Sequence, residues 1–108
     1  MMASFNFDLT YFASREDAER HYLDYHVPLA RRLPGLRSYV IGRPTDFAGV
    51  TATRQRAAVL IFDDREALRA AYRSDVGREL RQDEQRLIAD AVTTFMDAED
   101  VLTTRSPS

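Results

Sequence analysis

An α+β domain with elements in the order β, α, β, β, α, β is predicted by three features of this 108-residue chain. Short segments at residues 5–13, 36–43 and 57–62 carry the alternating or continuous apolar pattern of strands. Longer stretches repeat their apolar residues at helical spacing, and turn-forming proline and glycine separate the two kinds of segment.

The first segment, FNFDLTYFA, places Phe5, Phe7, Leu9 and Tyr11 on one face and Asn6, Asp8 and Thr10 on the other. Ser14 then offers an N-cap, Asp17 completes a weakened capping box, and Ala18, Tyr22, Tyr25, Leu29 and Leu33 form a helical stripe. Pro34 and Gly35 end that helix. LRSYVIGR (36–43) is a β-rich second strand, residues 44–54 read as a loop of the length that borders ligand sites, and AAVLIF (57–62) is a third strand. Helical spacing returns over 64–74, with Leu68, Ala71 and Tyr72 inward, and over 76–94, with Leu80, Leu87, Ile88 and Ala91 on the stripe. A short last strand is expected near 95–102, a single domain over 1–103, and a frayed polar tail at 104–108.

This order is the ferredoxin-like, or split βαβ, plan: a four-stranded antiparallel sheet with helices on one face and the first and third strands central. The third strand is apolar on both faces, so the helix-free side needs cover. A second copy of the chain, packed sheet to sheet, is the simplest cover and predicts a homodimer.

Composition excludes several kinds of function. With no cysteine there is no disulfide, thiol nucleophile or Cys-ligated zinc. The formal net charge is only −2, and the arginines are interleaved with Asp and Glu, which describes a solvated surface and predicts no nucleic-acid partner. The amino-terminal segment lacks a basic region, Asn6 and Asp8 interrupt its apolar run, and no apolar run reaches bilayer length. A cytoplasmic location with no membrane partner is therefore expected. The glycines are scattered, without a phosphate-cradling loop, and no nucleophile elbow is present. Two histidines at i and i+5 point apart on a regular helix and no neighbouring carboxylate completes a metal set, so no metal is expected.

The stretch HYLDYHVPL holds the only two histidines of the chain, His21 and His26. His26 shares the apolar helix face, and an imidazole with an ordinary pKa of about 6.5 is a candidate general base or acid. Pro28 removes a backbone donor and frees a carbonyl in the preceding turn, which distorts the helix and opens a cleft beside His26. A core histidine bonded to a backbone carbonyl fits the same residues. His21, on the flank, reads as helix packing. Tyr11, Tyr22, Tyr25, Tyr39 and Phe62 are candidates to line a pocket for a flat, partly apolar ligand, and also read as core aromatics. Arg43, Arg54 and Arg56 flank the middle loop, where an arginine is placed to bind a substrate carboxylate.

YHVPLARRLPGLRSY (25–39) and AAVLIFDDREALRAAYRSDVGREL (57–80) together resemble the EthD family of dimeric α/β barrel proteins. The likeness lies in His-x-Pro-Leu at the end of the first helix, in PGL before a tyrosine-bearing strand, and in a third strand ending in Phe-Asp before a Glu-Ala-Leu helix. It covers nearly the whole chain. The resemblance implies a ferredoxin-like homodimer without a tightly bound cofactor. Relatives in the wider superfamily include isomerases, cyclases, decarboxylases, dehydratases and cofactor-free oxygenases of small aromatic, lactone or polyketide molecules. Many of them carry an acidic residue in the third strand, where this chain has Val59. The enzyme reading makes His26 the base or acid, with Tyr22 or Tyr39 holding a developing oxyanion and Tyr11, Tyr25, Phe62 and Arg43 binding substrate. The competing readings are a non-catalytic ligand-binding or accessory protein using the same pocket, and a helix packed dry with no cavity.

Overall fold

A computed structural model of the chain describes residues 1–10 and 13–102, so Tyr11 and the tail expected at 104–108 lie outside the described residues. Four strands, β1 (Met2–Leu9), β2 (Ser38–Gly42), β3 (Arg56–Ile61) and β4 (Ile88–Met96), form one sheet in the order β2-β3-β1-β4. Every neighbouring pair is antiparallel. Helix α1 (Arg15–His21) continues through a π turn (Tyr22–His26) into α2 (Val27–Ala30), and α3 (Arg65–Arg73) and α4 (Asp75–Leu87) follow β3. This is the ferredoxin-like plan, with β1 and β3 in the centre.

Local chemistry starts the helices where polar caps stand. Ser14 Oγ accepts from the Asp17 amide at 3.1 Å, and Asp64 Oδ1 accepts from that of Ala67 at 2.8 Å. Ser74 serves two helices: its hydroxyl donates to the Ala71 carbonyl closing α3 and accepts from the Gly77 amide opening α4. Alternate residues of the central strands, including Ala3, Phe7, Ala58 and Leu60, are buried against Tyr22, Leu29, Leu80 and Leu87 from the helices. Burial of this kind, at roughly 25 cal/mol per Å² of apolar surface, is the main term that holds the two layers together.

The last helix is shorter than its apolar stripe predicts. It stops at Leu87 rather than near residue 94, and β4 begins at once. The β-branched run Val92, Thr93, Thr94 suits a pleated strand, and pairing with β1 from Leu9↔Ile88 to Met2↔Met96 satisfies backbone groups along the whole segment. A bulge, marked by a register shift between Asn6 and Asp8 and by Asp90 at φ 50°, lets the strand follow the twist of the sheet. Ile88 and Ala91 still line the inner cavity, but from a strand. β1 likewise starts at Met2, ahead of the expected residue 5, because it pairs along β3 from that residue onward.

The face of the sheet away from the helices carries apolar residues that no described residue covers, beside Ser4, Asn6 and Thr94. Register places Val40 beside Val59 and Met2 between Ile61 and Met96 on that side. Val40 is 59% exposed and Val92 53%. Between β2 and β3, Phe47 and Val50 pair across a two-residue turn made by Ala48 and Gly49 at positive φ, which holds both apolar side chains out into solvent.

Candidate active site

Pro28 has no amide hydrogen to give the carbonyl four residues back, and the turn before it is widened. The Val27 amide donates to the Tyr22 carbonyl, an i→i+5 bond in place of the α-helical one. On a regular helix, at about 100° per residue, His21 and His26 would diverge. The π turn brings them to one side. Their rings lie against Tyr25 and Tyr22 respectively, His26 stacking on Tyr22 at 5.6 Å between centroids.

Both imidazoles converge on one carboxylate from the facing helix. His21 Nε2 lies 2.7 Å from Asp83 Oδ1, and His26 Nδ1 lies 2.8 Å from Asp83 Oδ2. Arg86 Nε, one turn along α4, adds a bond to Oδ1 at 3.1 Å. Asp83 is only 1% exposed. Burial by itself raises its pKa, but hydrogen bonds from His21, His26 and Arg86 outweigh it and hold the carboxyl below its usual range. Asp83 is therefore an anion that accepts from every partner, and His26 carries its proton on Nδ1. Burial, the larger influence, keeps the His26 pKa below 6.5 in spite of Asp83. Its Nε2 makes no hydrogen bond among the described residues. An imidazole held in this tautomer is a base at Nε2 near neutral pH.

His26 borders a half-open cavity of about 310 Å³ between the helices and the sheet. Tyr22, Tyr39 and Tyr72 present phenols to it, Phe7, Ala58 and Leu60 form the sheet wall, and Arg81 and Glu84 stand on α4. A shallower hollow of about 490 Å³ adjoins it and shares Phe5, Tyr72, Arg81, Glu84 and Thr93. Burial pushes all three phenols up, Tyr22 to about 12 against the lowering influence of Arg56, so each is a hydrogen-bond donor at physiological pH. Tyr22 and Tyr39 interact electrostatically but outside hydrogen-bond geometry, and the enclosed Tyr22 hydroxyl has no partner among the described residues. The Tyr22 ring is held by the buried Arg56 guanidinium, 5.1 Å from its centroid, which is itself clamped by both oxygens of Glu19.

Burial raises the Glu84 pKa from 4.5 to about 7, with Arg81 opposing and Asp83 adding. Between those two values the folded protein holds a proton that the unfolded chain has released. The stability this contributes is complete below pH 4.5 and is lost as pH rises through 7. Glu84→Gln is thus expected to stabilise the protein at pH 8 by roughly 2 kcal/mol and to change little at pH 4. Urea unfolding at the two pH values checks this, and an equal shift at both would count against it.

The structure brings together His26, Tyr22 and Tyr39 of the residues singled out in the sequence. Phe62 is buried in the core, away from the cavity wall. Tyr25 is 38% exposed, outside the cavity, because the extra residue of the π turn rotates it off the apolar stripe. The Arg43 side chain is 69% exposed and its nearest carboxylate is Glu19 at 3.9 Å. Tyr11 lies outside the described residues. Sequence reasoning placed no carboxylate near the histidines and set them pointing apart; Asp83 and the π turn correct both. Asp83 as the histidines' partner, and Glu84 and Tyr72 as cavity groups, were missed, and the only signal for the two acids was that they interrupt the inward-facing register of α4.

A family model for the EthD domain matches residues 12–91. The chain belongs to the EthD family. Solved structures agree in fold. An ethyl tert-butyl ether D (EthD) family protein from Bacillus halodurans is 23% identical, with 90% of this chain and 100% of that one covered at a TM-score of 0.68. A dimeric ferredoxin-like protein of unknown function from Thermobifida fusca is 18% identical over 86% of this chain and 85% of that one, at a TM-score of 0.68. SnoaB, a cofactor-independent oxygenase from Streptomyces nogalater, is 12% identical over 93% and 94%, at 0.63. No protein of curated function matches this EthD chain. Among its described residues no helix is long and apolar enough to cross a membrane, and no group of three or more His, Asp or Glu side chains is placed to hold a metal ion.

Proposed function

We propose that this EthD protein is a cofactor-independent acid–base enzyme acting on a small, neutral carbonyl compound. The observation that carries the reading is His26: Asp83 fixes its tautomer and the other ring nitrogen is left unbonded beside a half-open cavity. In this reading Nε2 removes a proton next to the substrate carbonyl, Asp83 holds and supports the imidazolium that forms, and Tyr39 donates to the oxygen as negative charge gathers there. Tyr22, whose hydroxyl is enclosed, supports the imidazole through its ring. A binding-only protein has no need of a tautomer-fixed imidazole, which favours catalysis over the binding reading. One structural neighbour is described as a cofactor-independent oxygenase, in keeping with catalysis by side chains alone.

The working unit is a homodimer in which two copies of the bare sheet face, with Val40, Val59, Ile61, Val92 and Met96, cover each other. Two neighbours are described as dimeric proteins of this fold.

The test is a nitrogen NMR titration of the imidazoles, with His26→Gln to assign the signal, in the presence of small neutral ketones and lactones. A His26 Nε2 resonance that is unprotonated at pH 7 and moves with one or more of these compounds is expected. A resonance that ignores all of them, or that shows Nε2 protonated at neutral pH, overturns the reading.

A further inference from the structure

We propose that Glu84 is a second proton-transfer residue of this cavity, donating to the carbonyl oxygen of a substrate whose α-carbon gives up its proton to His26. The proposal rests on the reading of His26 as the base, and it narrows the substrate to neutral, enolisable ketones and lactones.

The placement is the first argument. Asp83 and Glu84 are successive residues of α4, and a step of about 100° around the helix separates their directions. Asp83 turns to the two histidines, whereas Glu84 turns to the cavity. Glu84 borders both the inner cavity and the adjoining hollow, while His26 borders the inner one alone. A molecule seated between them therefore has the base within the inner cavity and the carboxyl where the two hollows meet.

The second argument is the state of the carboxyl. Glu84 is half-buried and makes no hydrogen bond or ion pair among the described residues. The titratable groups around it are Arg81 and Asp83 on its own helix, Tyr72 and Arg69 from α3, Tyr39 from β2, and Tyr22 and His26 from the π turn, while the sheet residues Phe5 and Thr93 contribute none. Burial dominates, so Glu84 keeps its proton into the neutral range while its neighbour Asp83 is ionised. Environments that push paired groups apart in this way assign one to the acid role and the other to support of the base.

The step balances with these two residues alone. His26 Nε2 takes the α-proton, the C–H pair becomes the C=C bond of an enol, and the carbonyl π pair forms an O–H bond with the Glu84 proton. The enzyme is left as imidazolium and carboxylate. Return of a proton from His26 to the same or a conjugated carbon, and of the enol proton to Glu84, resets both groups. A substrate carboxylate is disfavoured beside His26, where it would sit near the Asp83 anion.

The experiment follows exchange of the α-protons of 2-tetralone in deuterium oxide by proton NMR from pH 5 to 9, with wild type, His26→Gln and Glu84→Gln. Wild type is expected to accelerate exchange, with a rate that rises as His26 loses its proton and falls as Glu84 ionises near pH 7. Glu84→Gln is expected to slow exchange by roughly 10- to 100-fold and to abolish the fall at high pH. A Glu84→Gln protein with the wild-type rate and the same fall overturns the role of Glu84 and leaves His26 as the base. No acceleration by wild type, or full activity in His26→Gln, overturns both. Should the Gln variant fail to fold, carbon NMR of the Glu84 carboxyl in the wild-type protein decides: its midpoint must coincide with the fall in rate, and a separation above about one pH unit refutes the assignment.

Discussion

Asp83→Asn is expected to slow proton abstraction by about a thousandfold while leaving ketone binding within a few-fold of wild type. The reason is a count of donors. Oδ1 of Asp83 faces two, His21 Nε2 and Arg86 Nε, and Oδ2 faces one, His26 Nδ1. Asparagine has a single oxygen, and the side with two donors claims it. Its amide NH₂ then confronts His26 Nδ1, which must become an acceptor, and the imidazole proton moves to Nε2. The ring stays in place but its base has turned away from the cavity. Nitrogen NMR reads the tautomer directly, and 2-tetralone exchange reads the rate. A variant that keeps Nε2 unprotonated and exchanges within threefold of wild type would refute the orienting role of Asp83.

Gly77→Ala is expected to destabilise the protein by roughly 3 kcal/mol, a fall in Tm on the order of 15 °C. An added Cβ would stand 2.3 Å from the Ala71 carbonyl oxygen and 2.6 Å from Tyr72 Cα. Both are backbone atoms of α3, so no side chain can swing aside and the two helices must part. Parting them also strains the shared Ser74 cap, which the Gly77 amide completes at 3.1 Å. Because Tyr72 lines the cavity, the variant should lose ketone binding along with stability. Thermal unfolding followed by circular dichroism tests this, and a Tm within 3 °C of wild type would show that the contact relaxes at little cost.

Much of the fold was legible because its signals are local. The alternation in β1, the capping residue Ser14, and the break at Pro34 and Gly35 each act within a few residues. The boundary between α4 and β4 was not legible, since Leu87, Ile88 and Ala91 continue a helical repeat while the preference of Val92 to Thr94 is realised only by pairing with β1. The site was half legible. His26, Tyr22 and Tyr39 are named by residue type and by the proline that follows. Asp83 lies 57 residues from His26, and only the packing of α4 against the π turn makes it a partner. Glu84 looks like any surface acid of an amphipathic helix until the cavity beside it is known.

The π turn can also be described as a matter of phase. The segment from Arg15 to Ala30 holds one residue more than an α-helix whose two ends face the same way, so everything after it is set about 100° ahead in rotation. Removing any one residue between Tyr22 and His26 would let the helix close regularly with its flanking packing intact, and one imidazole would no longer meet Asp83. The site is thus carried by a one-residue insertion as much as by its side chains. A chain that kept the histidine and the proline but lacked the extra residue would have the motif without the pairing of two histidines on one carboxylate.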